Sequence, residues 1–176
     1  IASEHKNINE QLRNIFASPS LVVEISVDPV GVQLGGALKN ILSILLGIAH
    51  GLQLGDNAEA LLLTKGFHQL ADCGVQFGGK KETFYGLAGL GDLIATGMSQ
   101  HSRNRRFGEL LAQGMGKARA LAEVGMVVEG LTALTIVREI CQIKNYSFPL
   151  ADCLWEIIEE QADPRQSIQA FVSAPV

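Results

Sequence analysis

Cysteine is scarce in this sequence and poorly placed for cross-linking. Cys73, Cys141 and Cys153 stand apart without C-x-x-C spacing, which argues against a disulfide framework or a zinc site and predicts reduced, mostly buried thiols of a cytosolic protein. A basic surplus is missing too: 14 lysines and arginines face 18 acidic residues, for a net charge of −4. Nucleic-acid-binding proteins usually show the opposite balance, so nucleic acid is not expected as the main partner, although a local basic pocket stays open. No apolar run is long enough to predict a membrane span. The longest, residues 41–54, includes His50 and two glycines; it is shorter than the ~20 residues required and predicts a buried core helix. His5, His50, His68 and His101 are scattered without metal-ligand spacing, so no metal site is predicted. The chain also opens without a signal-peptide pattern, at Ile1 and a charged helical stretch. That start predicts a piece of a longer protein.

What the sequence does contain is mostly helical periodicity. Its 176 residues suffice for one domain with a real core. Residues 3–17 place Ile8, Leu12, Ile15 and Phe16 on one side of an amphipathic helix. Residues 21–27, LVVEISV, are rich in β-branched side chains and predict a short strand. A lone strand needs a sheet from elsewhere, so residues 1–28 are expected to be the tail of an α/β domain, with Asp28-Pro29 as the boundary. Beyond Pro29 no convincing strand follows. Helices are predicted over 32–52, 57–77, 102–113, 117–123 and 129–144, then from Pro149 through Ile158 and from Asp163-Pro164 to about Val172. The expected fold class is all-α over residues 29–176, preceded by one helix and one strand.

The unusual stretch is 86–108, GLAGLGDLIATGMSQHSRNRRFG. Its glycines alternate with small apolar residues and deliver one carboxylate, Asp92. Further on, Arg103, Arg105 and Arg106 fall in the first turn of a predicted helix, where cations oppose the macrodipole. A bound anion resolves that conflict, because the free N–H groups of a helix N-terminus suit phosphate. A solvated basic turn capped by Ser102 resolves it equally. Lys39 follows the pair Gly35-Gly36 and precedes an apolar run. It either snorkels to water or is a partly desolvated amine suited to proton transfer. Asn40 beside it is either a second polar contact or surface. Asp92 either reaches a substrate hydroxyl or a lysine, or caps a helix at 93–97. Glu129, in VVEG, reads from composition as a helix cap. The GLAGLG run is no phosphate loop, since no GKS or GKT follows and no strand leads into it.

Five stretches in order, GVQLGGALKN (31–40), GDNAEALLLTKG (55–66), GLAGLGDL (86–93), SRNRRFG (102–108) and VVEG (127–130), resemble the soluble, bacterial type of NAD(P)-dependent glycerol-3-phosphate dehydrogenase. The resemblance implies that residues 1–28 end an N-terminal dinucleotide-binding domain and that 29–176 form a helical C-terminal substrate domain. It implies a catalytic role for Lys39. Substrate contacts would come from Lys39, Asp92, Ser102, Arg103 and Asn104, and contacts to the cofactor, NAD or NADP, from Arg103, Val127 and Glu129. The implied substrate is a small phosphorylated three-carbon compound, dihydroxyacetone phosphate or glycerol 3-phosphate, and the implied setting a cytoplasmic homodimer that feeds glycerophospholipid synthesis. Gln33 stands where many members carry Glu, and Gly97 where many carry Cys; neither is assigned to catalysis. The Gly-rich dinucleotide fingerprint is not in the sequence, so the chain by itself is expected to hold half an active site and to be inactive. Two other readings stay open. One is a related two-domain dehydrogenase for another small substrate. The other is a non-catalytic helical dimerisation module, which gains if Lys39 and Arg103 do not converge.

Overall fold

A computed structural model describes residues 1–174. Its helices are α1 (Lys6–Phe16), α2 (Pro29–Gly51), α3 (Asp56–Gln76), α4 (Lys81–Tyr85), α5 (Arg103–Ala112), α6 (Lys117–Val124), α7 (Glu129–Lys144), α8 (Pro149–Ile158) and α9 (Pro164–Ser173). Between α4 and α5 the chain winds into two π-helical turns, Leu87–Gly91 and Leu93–Gly97. No β-sheet forms among the described residues, and the class is all-α.

The fold is built around α2. Every residue from 41 to 49 is buried, the pattern of a helix that is apolar all round and enclosed on every side. α3 covers it with Leu62, Phe67 and Leu70, α5 with Phe107 and Leu110, and α7 with Leu134 and Val137. The approach of α5 is close enough for backbones to touch. A Cβ on Gly47 would overlap the Arg105 carbonyl oxygen, and one on Gly108 would overlap that of Ile44. At 23 residues α2 is longer than the apolar run that predicted it. By length and composition alone it would reach across a bilayer, yet 61% of its most apolar window is buried inside this fold.

α8 and α9 pack on each other and against α3. Lys65 of α3 is buried beneath them, donates to the carbonyls of Val172 (2.9 Å) and Ala174, and lies over the Phe171 ring. The ammonium thereby satisfies carbonyls at the negative end of α9. Cys73, Cys141 and Cys153 are free and buried. Burial pushes all three thiols up, Cys153 to about 12, which leaves them protonated and unreactive.

The strand expected at 21–27 does not form. The segment makes two isolated bridges, Ala2 with Ser26 and Ser18 with Leu21. The reason is physical: the described residues offer it no ladder partner. The tail is instead pinned by Asn9, whose side-chain amide donates to the carbonyls of Ser3 and Ser26, both at 2.9 Å.

Asp28 does more than mark a boundary. It is 5% exposed. One carboxylate oxygen accepts the Gly31 N–H at 2.8 Å and caps α2. The other accepts the Lys80 N–H at 2.8 Å and the Thr83 hydroxyl at 2.6 Å, tying α4 to the start of α2. Burial by itself would push this carboxyl up. The hydrogen bonds from Thr83, Lys80 and Gly31, with the Lys80 charge, outweigh burial and hold it below its ordinary value. Asp28→Ala is expected to cost about 2–3 kcal/mol, one cap plus two stranded donors, read as a lower urea midpoint. Because the folded-state value is lowered, this stabilisation is complete above ~pH 4, the ordinary carboxylate range, and is lost as pH falls below it. Wild type and variant should therefore converge in stability in acid, and a gap that persists there would contradict the assignment.

Candidate active site

The first half of α2 presents Gly36, Lys39 and Asn40 on one face, as the i, i+3, i+4 spacing requires. Opposite lie Asp92, Ala95 and Thr96 of the π-helical stretch, and the start of α5. Together with Ser99, His101 and Glu129 they line a cavity of about 430 Å³. Of the residues singled out in the sequence, Lys39, Asn40, Asp92, Ser102, Arg103, Asn104 and Glu129 converge on it from α2, the π-helical stretch, α5 and α7. Val127 does not line the cavity; it precedes α7 and is 70% exposed.

At one end the Lys39 ammonium forms an ion pair with the Asp92 carboxylate and donates to the Thr96 hydroxyl at 2.7 Å. The Thr96 hydroxyl in turn lies 2.7 Å from the Asp92 carbonyl and 3.1 Å from its carboxylate. Lys39 does not snorkel: its side chain is only 13% exposed and points into the cavity. Nor does the Asp92 side chain cap the 93–97 turn; it answers the lysine. Thr96 was not singled out in the sequence, although a hydroxyl four residues after a carboxylate shares its helix face.

At the other end the Ser102 hydroxyl accepts the Arg105 N–H at 3.3 Å and caps α5. Arg103 lies 3.7 Å from the Glu129 carboxylate, with side chains 41% and 61% exposed. So open a pair is worth about 0–1 kcal/mol, and an incoming anion can displace it. Asn104 is buried. Its amide donates to the Asn40 side-chain oxygen at 2.9 Å, and its own oxygen accepts the Gly130 N–H at 2.9 Å. Asn40 also donates to the Gly36 carbonyl at 3.2 Å and to Glu129 at 3.4 Å. Asn40 is thus a polar contact rather than surface, and the two asparagines bind α2, α5 and α7 together. Glu129 is the first residue of α7 and faces Arg103 and Asn40 rather than acting as a cap. Arg106 is half exposed, whereas Arg105 is largely buried against Glu109, so a solvated basic turn does not describe Arg105.

The cavity thus pairs an ammonium suited to proton transfer with an arginine at the N-terminus of a helix, where N–H groups favour an anion. A family described as "NAD-dependent glycerol-3-phosphate dehydrogenase C-terminus" matches residues 28–169. The chain is 42% identical over 172 residues to a glycerol-3-phosphate dehydrogenase [NAD(P)+] of Clostridium botulinum, covering 98% of this chain and 52% of that one. It is 41% identical to the enzyme of that name from Halothermothrix orenii, covering 98% and 51%. Among solved structures, a glycerol-3-phosphate dehydrogenase from Coxiella burnetii superposes with a TM-score of 0.92 at 38% identity, over 98% of this chain and 53% of that one. A yeast glycerol-3-phosphate dehydrogenase superposes with a TM-score of 0.85 at 26% identity, over 94% and 48%. The chain spans about half the length of the curated relatives it matches.

Proposed function

The chain belongs to the family of the NAD-dependent glycerol-3-phosphate dehydrogenase C-terminus, and from that membership we propose that it is the substrate-binding half of an enzyme interconverting dihydroxyacetone phosphate and sn-glycerol 3-phosphate with NAD(P)H, supplying glycerophospholipid synthesis. The observation that carries this reading is the convergence of Lys39 and Arg103 on one cavity. A dimerisation module has no need of a proton donor and an anion-binding arginine facing the same space. Residues 1–28 are read as the end of the dinucleotide-binding domain and 29–176 as the substrate domain. Exposed Ile15, Phe16 and Val22 in the tail support that division, since such apolar surface usually meets a partner.

In this mechanism Lys39 holds a proton at the substrate's C2 oxygen, giving it when the ketone is reduced and taking it when the alcohol is oxidised. Asp92 and Thr96 orient the ammonium. Arg103 makes a forked contact to phosphate, assisted by Ser102 and the N–H groups of α5. Asn104 has one amide hydrogen left for the substrate and otherwise holds Asn40 in place. When bound, the nicotinamide cofactor supplies or takes up the hydride. Of the residues implied to contact that group, Arg103 and Glu129 line the cavity and offer polar partners, and Gly36 borders open space there. A cytoplasmic homodimer goes with this reading; protonated, buried thiols suit a reducing compartment.

Calorimetric titration of the two-domain enzyme tests the phosphate site. Glycerol 3-phosphate is expected to bind about 10–100-fold more tightly than glycerol, the worth of one or two charge-assisted hydrogen bonds. Equal affinities would remove the phosphate site and favour a dehydrogenase for an uncharged substrate.

A further inference from the structure

The segment from Met98 to Ser102 joins the two ends of the cavity. It leaves the turn that carries Asp92 and Thr96, and it enters α5 beside Arg103. Local bonds shape it: the Ser99 N–H meets the Thr96 carbonyl at 3.3 Å, and the Ser102 N–H meets the Ser99 carbonyl at 3.0 Å. Arg105 grips both ends. Its backbone N–H donates to the Ser102 hydroxyl at 3.3 Å, and its guanidinium donates to the Met98 carbonyl at 2.6 Å. A second guanidinium N–H meets Glu109 at 3.1 Å, the side chain is 13% exposed, and it does not line the cavity. The charge of Arg105 is therefore answered within the protein rather than offered to a ligand. Its carbonyl rests against Gly47, so the same residue also touches α2.

We infer that Arg105 is a positioning residue, which fixes the proton-transfer end of the cavity relative to its anion-binding end by holding both ends of Met98–Ser102, without touching substrate. The inference rests on the dehydrogenase reading above. α5 already sits on α2 through the glycine crossing, and Lys39 rides on α2. The Asp92–Thr96 turn is the part that must still be brought into register. A charge-assisted bond to a carbonyl is well suited to that task, being shorter and stronger than a neutral one. Registry matters because a displacement of about 1 Å costs ~10²-fold in rate.

The test is kinetic and uses the two-domain enzyme. Arg105→Met is assayed with dihydroxyacetone phosphate and with dihydroxyacetone, its phosphate-free counterpart. A loosened segment lets either end work alone but not both in register. The kcat/KM for the phosphorylated substrate is therefore expected to fall about 10²-fold, while that for the phosphate-free substrate stays near wild type. Added guanidinium ion is expected to restore part of the loss. Arg105→Lys keeps the charge but cannot reach Met98 and Glu109 together; it is expected to fall between the two, and it carries the test should Arg105→Met fail to fold. A merely structural role lowers both substrates in the same proportion, so equal losses, or no loss, would overturn the inference. A wild-type enzyme with no preference for the phosphorylated substrate would overturn the dehydrogenase reading itself, and the inference with it.

Discussion

Lys39→Ala in the two-domain enzyme is expected to lower turnover by ~10²–10⁴-fold, the usual cost of removing a general acid–base group. Affinity for glycerol 3-phosphate should change far less, because Arg103 and the start of α5 are untouched. The fold should tolerate the change: Asp92 is 34% exposed and regains water when its partner goes. Lys39→Arg separates two contributions. Arginine keeps the charge opposite Asp92 but cannot give up a proton in a protein. If proton transfer is the role of Lys39, the arginine variant is nearly as slow as the alanine variant. Recovery of most of the rate by arginine would make the residue an electrostatic clamp and leave the proton to another group. Stopped-flow measurement of kcat alongside equilibrium binding distinguishes these outcomes.

The second large effect falls outside the cavity. Alanine normally improves on glycine within a helix by ~1 kcal/mol. At Gly108 the sign should reverse. The added carbon would meet the Ile44 carbonyl and the backbone of residues 47 and 48, and backbone cannot rotate away as a side chain can. A net loss of about 2–3 kcal/mol is expected, or roughly 5–10 °C in Tm for a chain of this size. Gly36→Ala is the control, since no atom lies within 4 Å of that position. It should raise Tm slightly and yet impair activity, because Gly36 borders the cavity. A Gly108→Ala protein as stable as wild type would show that the two helices do not depend on backbone contact. The folded fraction of that variant should also lose kcat/KM, since the crossing holds Arg103 opposite Lys39.

Residues whose roles are local were legible in the sequence. Ser102 as a cap, the helix starting at Pro149 and burial over 41–49 of the apolar 41–54 run follow from composition and spacing within a few positions. The Lys39 and Asp92 stretches could be picked out, but a lysine partner was only one of the alternatives open for Asp92. The two are joined only by the fold, and an isolated carboxylate before an apolar turn looks like a cap. Arg105 could not be told apart from its neighbours for a similar reason. In sequence it is one of three arginines in a row of five residues, and only the path of the preceding loop separates it from Arg103 and Arg106. The 21–27 segment shows the limit from the other side: its β-branched composition is real, but a strand is a property of a pair. The π-helical turns at 87–97 had no sequence signal beyond abundant glycine.

The enclosure of α2 also bears on how the protein is made. Its apolar surface is complete once Gly51 has been synthesised, but its close partner α5 ends at Ala112, and α7 comes later still. At ribosomal rates of about 5–20 residues per second, that leaves the stretch uncovered for roughly 3–12 s. During this interval a helix long and apolar enough, by length and composition, to cross a bilayer has only α3, α4 and the π-helical turns to shelter it. Burial that depends on such distant segments also slows folding, because loop closure must precede the contacts that reward it. The helix that gives the finished protein its centre is thus the part of the nascent chain most in need of a chaperone.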